Sequence, residues 1–281
     1  MFDIIVLGGG KLEKEFEENL KEKPEGKAYI KINGKMMAEY VLEMVKTASE
    51  NMGNTGQIFF VAPSENIPEY IKRFISLMAR NGSVSDKIPQ DIKGMVNNTC
   101  VGGKSVIESL KNGLQLCQNE KIFVIPCDIP LATPQSFEDF ASKSIESNAD
   151  FSYSFVRKEV SEEKFPNLRH TYVKLKEGTF CGGSFMMVSK SKFSKCEELF
   201  KKITEGRKEP LKLVSLFGFI NIIKMLFQVL TIDELIKKGE ELLGAKVFAM
   251  ESKFPEMAFN VDKLEDLKRA EKEMENKFTK I

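Results

Sequence analysis

Strand-length apolar runs alternate with segments of helical period along most of this chain. The runs are DIIVL (residues 3–7), QIFFVA (57–62), KIFVIP (121–126) and DFSYSFV (150–156). Between them MMAEYVLEMVKTA, IPEYIKRFISLMAR and SVIESLKNGLQL carry apolar residues at three-to-four spacing. Strands without polar alternation, joined by helical crossovers, predict a parallel sheet covered on both faces. In such a sheet ligands collect beyond the carboxyl ends of the strands, which singles out Gly8 to Gly10, Pro63 to Glu65 and Asp128.

After residue 150 the pattern changes. YVKLKEGTF and GGSFMMVS predict an antiparallel hairpin turning at Glu177-Gly178, so the sheet is expected to be mixed and mostly parallel. From about 205 to 244 the chain reads as helical, with a very apolar stretch at 211–230 followed by TIDELIKKGEELLG. Lys212, Asn221, Lys224 and Gln228 interrupt that stretch, favouring a helical insert packed on the sheet over membrane contact. AFNVDKLEDLKRAEKEMENKF reads as strand, turn and charged helix. The expectation is α/β class, a three-layer α/β/α sandwich forming one domain over 1–281 with its insert.

Composition narrows the chemistry. The 42 basic and 41 acidic residues give a net charge of +1, which offers no global field for nucleic acid or an anionic membrane. The five cysteines contain no C-x-x-C pair and read as reduced thiols, and MFDIIVLGGG lacks the basic start and long apolar run of a signal peptide; both point to the cytoplasm. With one histidine, His170, catalysis must rest mainly on carboxylates and lysines.

Three motifs carry chemistry. LGGGKLEKEF follows a strand and opens a helical stretch, where backbone N–H groups can cradle phosphate, although a dinucleotide fingerprint fails at Glu13. Asn98-Thr99-Cys100-Val101-Gly102-Gly103-Lys104-Ser105 ends like a Walker A loop, so a P-loop nucleotide hydrolase with Asp128 as its acidic partner is an alternative. VIPCDIPLATP places Asp128 just past a strand end. By itself Asp128 also reads as a turn former or a cap for the helix starting near Pro134, and Asp262 as an N-cap of the helix that follows it.

Taken in order, LGGG, KAYIKINGKMMAEYVLEMV, GGKSVIESLKNGL, VIPCDIPLATP and FNVDKLEDL resemble the MobA-like nucleotidyltransferases over nearly the whole chain. The resemblance implies a glycosyltransferase-A type fold and transfer of a nucleoside monophosphate from an NTP to a small, phosphorylated acceptor, with Mg2+ as cofactor and release of pyrophosphate. It implies Leu7, Gly8, Gly9 and Gly10 as the triphosphate loop and Lys27 as the signature lysine. It further implies Gly102 and Gly103 near the base and ribose, and Asp128 with Asp262 as metal ligands; Pro63, just past a strand, is a further nucleotide-side candidate. On the acceptor side the candidates are Arg169, Lys174, Gly182, Gly183, Arg207 and Lys208. One departure stands out: residues 11–26 hold no arginine where the family loop carries one, leaving Lys11 or Lys31 to substitute. A nucleotide-binding protein without catalysis is therefore a third reading.

Overall fold

In this computed structural model the structure describes residues 1–9, 12–69, 71–72, 98–206, 224 and 227–278. Their contacts fall into two units, one formed by Met1–Glu138 and Phe259–Ile281, the other by Asp139–Ala258. The chain is α/β, with mixed, mostly parallel strand pairing flanked by helices.

The first unit is built on four parallel strands in the order β6-β1-β4-β5. These are β1 (Asp3–Leu7), β4 (Ile58–Ala62), β5 (Thr99–Val101) and β6 (Lys121–Pro126). Every residue of β4 and the four central residues of β6 are buried, which is why these runs are continuously apolar. The helices are α1 (Lys14–Asn19), α2 (Met37–Asn51), α3 (Val106–Leu116), the start of α4 (Pro134–Glu146), whose residues from Asp139 on belong to the second unit, and, from the C-terminal stretch, α8 (Leu264–Phe278). Phe123 is the hub of an aromatic cluster, edge-on to Phe2 at 4.8 Å and to Phe137 at 5.4 Å. A short hairpin, β2 (Lys31–Ile32) and β3 (Lys35–Met36), turns at Asn33-Gly34; both turn residues have positive φ, 49° and 83°, as an Asn-Gly hairpin turn requires.

The second unit pairs β7 (Phe151–Arg157) in parallel with β10 (Val247–Ser252) and antiparallel with β9 (Gly178–Ser189), which also pairs antiparallel with β8 (Tyr172–Leu175). The expected hairpin is there, with Leu175 opposite Gly178 and only Lys176 and Glu177 in the turn. Helices α5 (Lys158–Lys164), α6 (Lys190–Gly206) and α7 (Ile232–Leu243) complete the unit. Helix α7 has a reciprocal cap between Thr231 and Glu234 and ends on Gly244 at φ 57°.

Two expectations lie mostly outside the described residues: the helix over 67–80 and the apolar stretch at 211–230. Among the described residues no helix is long and apolar enough to cross a membrane. A third is corrected. The strand predicted through AFNV is absent: β10 stops at Ser252, a 3-10 turn follows at Pro255–Ala258, and residues 259–263 are irregular. All five cysteines are free, and all but Cys100 are buried.

Asp3, at the entry of β1, is fully buried and accepts bonds from the backbone N–H groups of Gln57, Gln118 and Asn119 (2.8, 2.8 and 2.9 Å) and from the Asn119 amide. Two loops at that end of the sheet are thus tied to one carboxylate. Asp3→Ala strands these donors and is expected to lower unfolding stability by about 3 kcal/mol. A urea titration checks this, as a lower midpoint at unchanged slope.

Candidate active site

The opposite, carboxyl ends of the same strands are stitched to one another by backbone bonds. Cys127 N–H donates to the Leu7 carbonyl at 2.9 Å, Gly8 N–H to Val61 at 2.7 Å, and Gly102 N–H to Ala62 at 2.8 Å. Leu7, Gly8, Gly102 and Cys127 are therefore held in one row, with Asp128 immediately after it. Gly8 can only be glycine, because a Cβ there would lie 2.6 Å from the Val61 carbonyl oxygen and 2.9 Å from Pro63. Gly9 has φ +79°, and a Cβ on it would lie 4.0 Å from the Lys27 Cβ, so the loop runs beside that lysine. Gly10 and Lys11 are outside the described residues.

Lys27 opens a single 3-10 turn, Lys27–Tyr29, that packs inward ahead of the Asn33-Gly34 hairpin. Its side chain is only 10% exposed, and its ammonium donates to Asp128 Oδ2 at 2.9 Å and to Asp262 Oδ1 at 2.6 Å. Burial by itself would lower the lysine pKa; the charge of Asp128 and the hydrogen bond and charge of Asp262 outweigh it and raise the pKa well above the ordinary value of 10.5. The three residues that the sequence pattern joined across the chain thus converge on one point.

Asp128 is fixed from the C-terminal stretch as well. Its carbonyl accepts the Val261 N–H at 2.8 Å, and its Oδ1 accepts the Asn260 amide at 3.1 Å. It does not cap α4; that bond comes from Thr133 Oγ1, which accepts Ser136 N–H at 3.3 Å. Asp262 is likewise not the cap of α8. Asp266, in the first turn of that helix, reaches back, its carboxylate accepting the N–H groups of Asp262 (3.1 Å) and Lys263 (2.9 Å), while the Asp262 side chain meets Lys27. Burial raises the pKa of Asp266, and the two backbone bonds oppose the rise.

Three contributors escape sequence reading. Asn260 and Asp266 act through the geometry just described. Glu13 lies within electrostatic range of Lys27, Asp262 and Asp128; partial burial raises its pKa, as do the two aspartates, while Lys27 pulls it down. Only the position of Asn260 and Asp266 beside Asp262 offered a signal. Glu13 sits in a lysine- and glutamate-rich run that reads as a solvated face. The thiol of Cys127, next to Asp128, is pushed up by burial and stays protonated.

The other candidates are scattered. Pro63 lines an open pocket of about 520 Å³ with Leu12, Glu17, Lys23, Pro24, Glu25 and Ser64. Lys31 pairs with Glu22 at 2.7 Å on the surface. In the second unit Arg169 and Lys174 are exposed, while Gly182 and Gly183 lie within β9, where a Cβ would strike the Tyr153 hydroxyl (2.2 Å) and Ser154 Oγ (2.3 Å). Arg207 and Lys208 are outside the described residues. The Walker-like reading does not survive the geometry. Thr99, Cys100 and Val101 form strand β5 in register with Phe60, Val61 and Ala62. The N–H groups of Gly103 and Lys104 are committed to Ser109 Oγ (3.0 Å) and Glu108 Oε2 (2.7 Å), and Ser105 caps α3.

Against known proteins, the model of the MobA-like NTP transferase domain matches residues 5–208. The chain belongs to this family. As a MobA-like NTP transferase it is a nucleotidyltransferase, and the matched stretch contains Lys27, Asp128 and the glycine loops but ends before Asp262. Among solved structures it is similar to a hypothetical transferase from Thermus thermophilus, with 26% identity and a TM-score of 0.75 over 94% of this chain and 98% of that one. A nucleotidyl transferase from Methanothermobacter thermautotrophicus is 13% identical, with a TM-score of 0.56 over 99% of both chains. The 4-diphosphocytidyl-2C-methyl-D-erythritol synthase of Anaerococcus prevotii is 11% identical, with a TM-score of 0.56 over 98% of both. These last two carry the fold alone. A comparison with the curated proteins found no match.

The Lys27 bridge has a pH signature. A raised folded-state pKa means that the bridge contributes its full stability below 10.5, the ordinary lysine value, and loses it as pH rises through the higher folded value. Amine acylation of the metal-free protein at about pH 9 should therefore modify surface lysines and spare Lys27, as read by peptide mass spectrometry.

Proposed function

We propose that this MobA-like enzyme transfers a nucleoside monophosphate from an NTP to a small, phosphorylated acceptor in a magnesium-dependent reaction that releases pyrophosphate. The observation that carries the reading is the convergence of Lys27, Asp128 and Asp262 at the carboxyl ends of the parallel strands.

The donor set suits magnesium. It consists of two carboxylates and oxygen ligands only, and the Asp262 side chain is 59% exposed, leaving positions for substrate oxygens and water. Magnesium bound there would supply charge neutralisation at the α-phosphate and bring the acceptor oxygen close to it.

The residues then divide the work. Asp128 and Asp262 would hold the ion, the first rigidly because Asn260 and Val261 brace it, the second on a loop tied down by Asp266. Lys27 and the Gly8-Gly9 loop neutralise and seat the phosphates. An acceptor oxygen forms the new bond to the α-phosphorus in line as the bond to the β-phosphate oxygen breaks, and pyrophosphate departs with that electron pair. A phosphate acceptor already carries its nucleophilic charge, so this site, which lacks a histidine, needs no separate base. The match to the MobA-like NTP transferase domain supports the reaction class.

A screen of the four NTPs against phosphorylated metabolites, scored for pyrophosphate, tests the reading. Pyrophosphate should appear only when acceptor and Mg2+ are both present. Orthophosphate released without acceptor would point to a hydrolase, and binding without turnover to a silent nucleotide-binding protein. Asp128→Asn and Asp262→Asn should each lower turnover on the order of 10²-fold or more, and the double variant should lose little beyond either, since both act through one ion. Glu265→Gln, an exposed neighbour, should be unchanged.

A further inference from the structure

The ammonium of Lys27 occupies the point between the two carboxylates that the proposed function assigns to a metal ion, 2.9 Å from Asp128 Oδ2 and 2.6 Å from Asp262 Oδ1. A lysine there has two of its three donors spent and cannot turn more than one to phosphate. Nor can the ion and the ammonium share the point, since both are cations. Each carboxylate therefore has two alternative counter-ions, one built into the chain and one from solution.

The charges make the choice consequential. Two carboxylates against one ammonium leave an excess of negative charge, to which Glu13 adds when ionised. A polyanionic triphosphate approaching that arrangement is repelled. Once a divalent ion holds the pair, the carboxylates are neutralised and the lysine charge is free. Its stem already lies against the glycine loop, next to Gly9, so rotation about the side-chain bonds suffices to carry the ammonium from the carboxylates to phosphates seated there. Asp128 does not depend on Lys27 for its place, being braced by Asn260 and Val261, so the ligand pair outlasts the departure of the lysine.

We propose that Lys27 is a placeholder cation, which holds the Asp128–Asp262 pair until a divalent ion displaces it and then turns to the phosphates, so that metal and nucleotide binding are interdependent. This rests on the assignment of the two aspartates as metal ligands. It makes Lys27 a competitor of the metal in the empty enzyme and a partner of the nucleotide in the loaded one.

Two measurements on the intact protein without nucleotide test it. In the first, Mn2+ binding is followed by electron paramagnetic resonance. Lys27→Met removes the competing charge at similar length and should bind Mn2+ about tenfold more tightly than the wild type, within the usual range of coupling between sites. Asp128→Asn should bind it far more weakly. In the second, the acylation rate of Lys27 in the wild type is mapped by mass spectrometry with and without Mg2+. The rate should rise several-fold with Mg2+, and should not respond to Mg2+ in Asp262→Asn. If Asp128→Asn weakens Mn2+ binding while Lys27→Met binds no more tightly or Lys27 acylation ignores Mg2+, the placeholder role is overturned and the metal site stands. Mn2+ binding that is indifferent to Asp128→Asn overturns the metal-ligand assignment itself. Should Lys27→Met fail to fold, the acylation measurement on the wild type decides alone.

Discussion

One buried ammonium shared by two carboxylates is the constraint around which the first unit is arranged. Lys27 reaches Asp128 across 101 residues of sequence and Asp262 across 235, so neither contact can form until the strands that carry their surroundings are in place. A charge buried to this degree needs its partners, and the partners need one another's supports: Asn260 and Val261 on Asp128, Asp266 on the backbone of Asp262. What looks like a binding site is thus also a three-way closure of the chain.

Much of this was legible in the sequence, for definable reasons. β1 and β6 occupy the predicted residues because an unbroken apolar run bounded by polar residues has no other comfortable home than a buried parallel strand. Asp128 stood out because it comes straight after such a run. Asp262 was found through a motif but with the wrong local structure. Phe259 and Val261 are buried, Asn260 only partly and Asp262 not at all, so the stretch alternates like a strand although no partner strand accompanies it among the described residues. Its alternation comes from lying against the core while reaching across to Asp128. Glu13 was illegible, since nothing local distinguishes it from the other glutamates of its run; its meaning is conferred by Lys27, fourteen positions on.

Asp3 and Asp128 show how position along a strand divides structural from chemical roles for the same side chain. Asp3 lies at the entry of β1, fully buried and surrounded by N–H donors, and is saturated. Asp128, past the exit of the neighbouring strand, is met by an ammonium and one amide and retains exposure of 19% on its side chain. The first has nothing left to offer a ligand; the second holds its acceptor capacity in reserve.

The bond from Val261 N–H to the Asp128 carbonyl, at 2.8 Å, has a consequence for how such a protein can diversify. Residues 139–258, which lie between the segments carrying Asp128 and Asp262, form a unit of their own. Closing a longer loop between fixed ends costs entropy only logarithmically. The length of chain between the two aspartates can therefore vary at small entropic cost to the contact that joins their neighbourhoods.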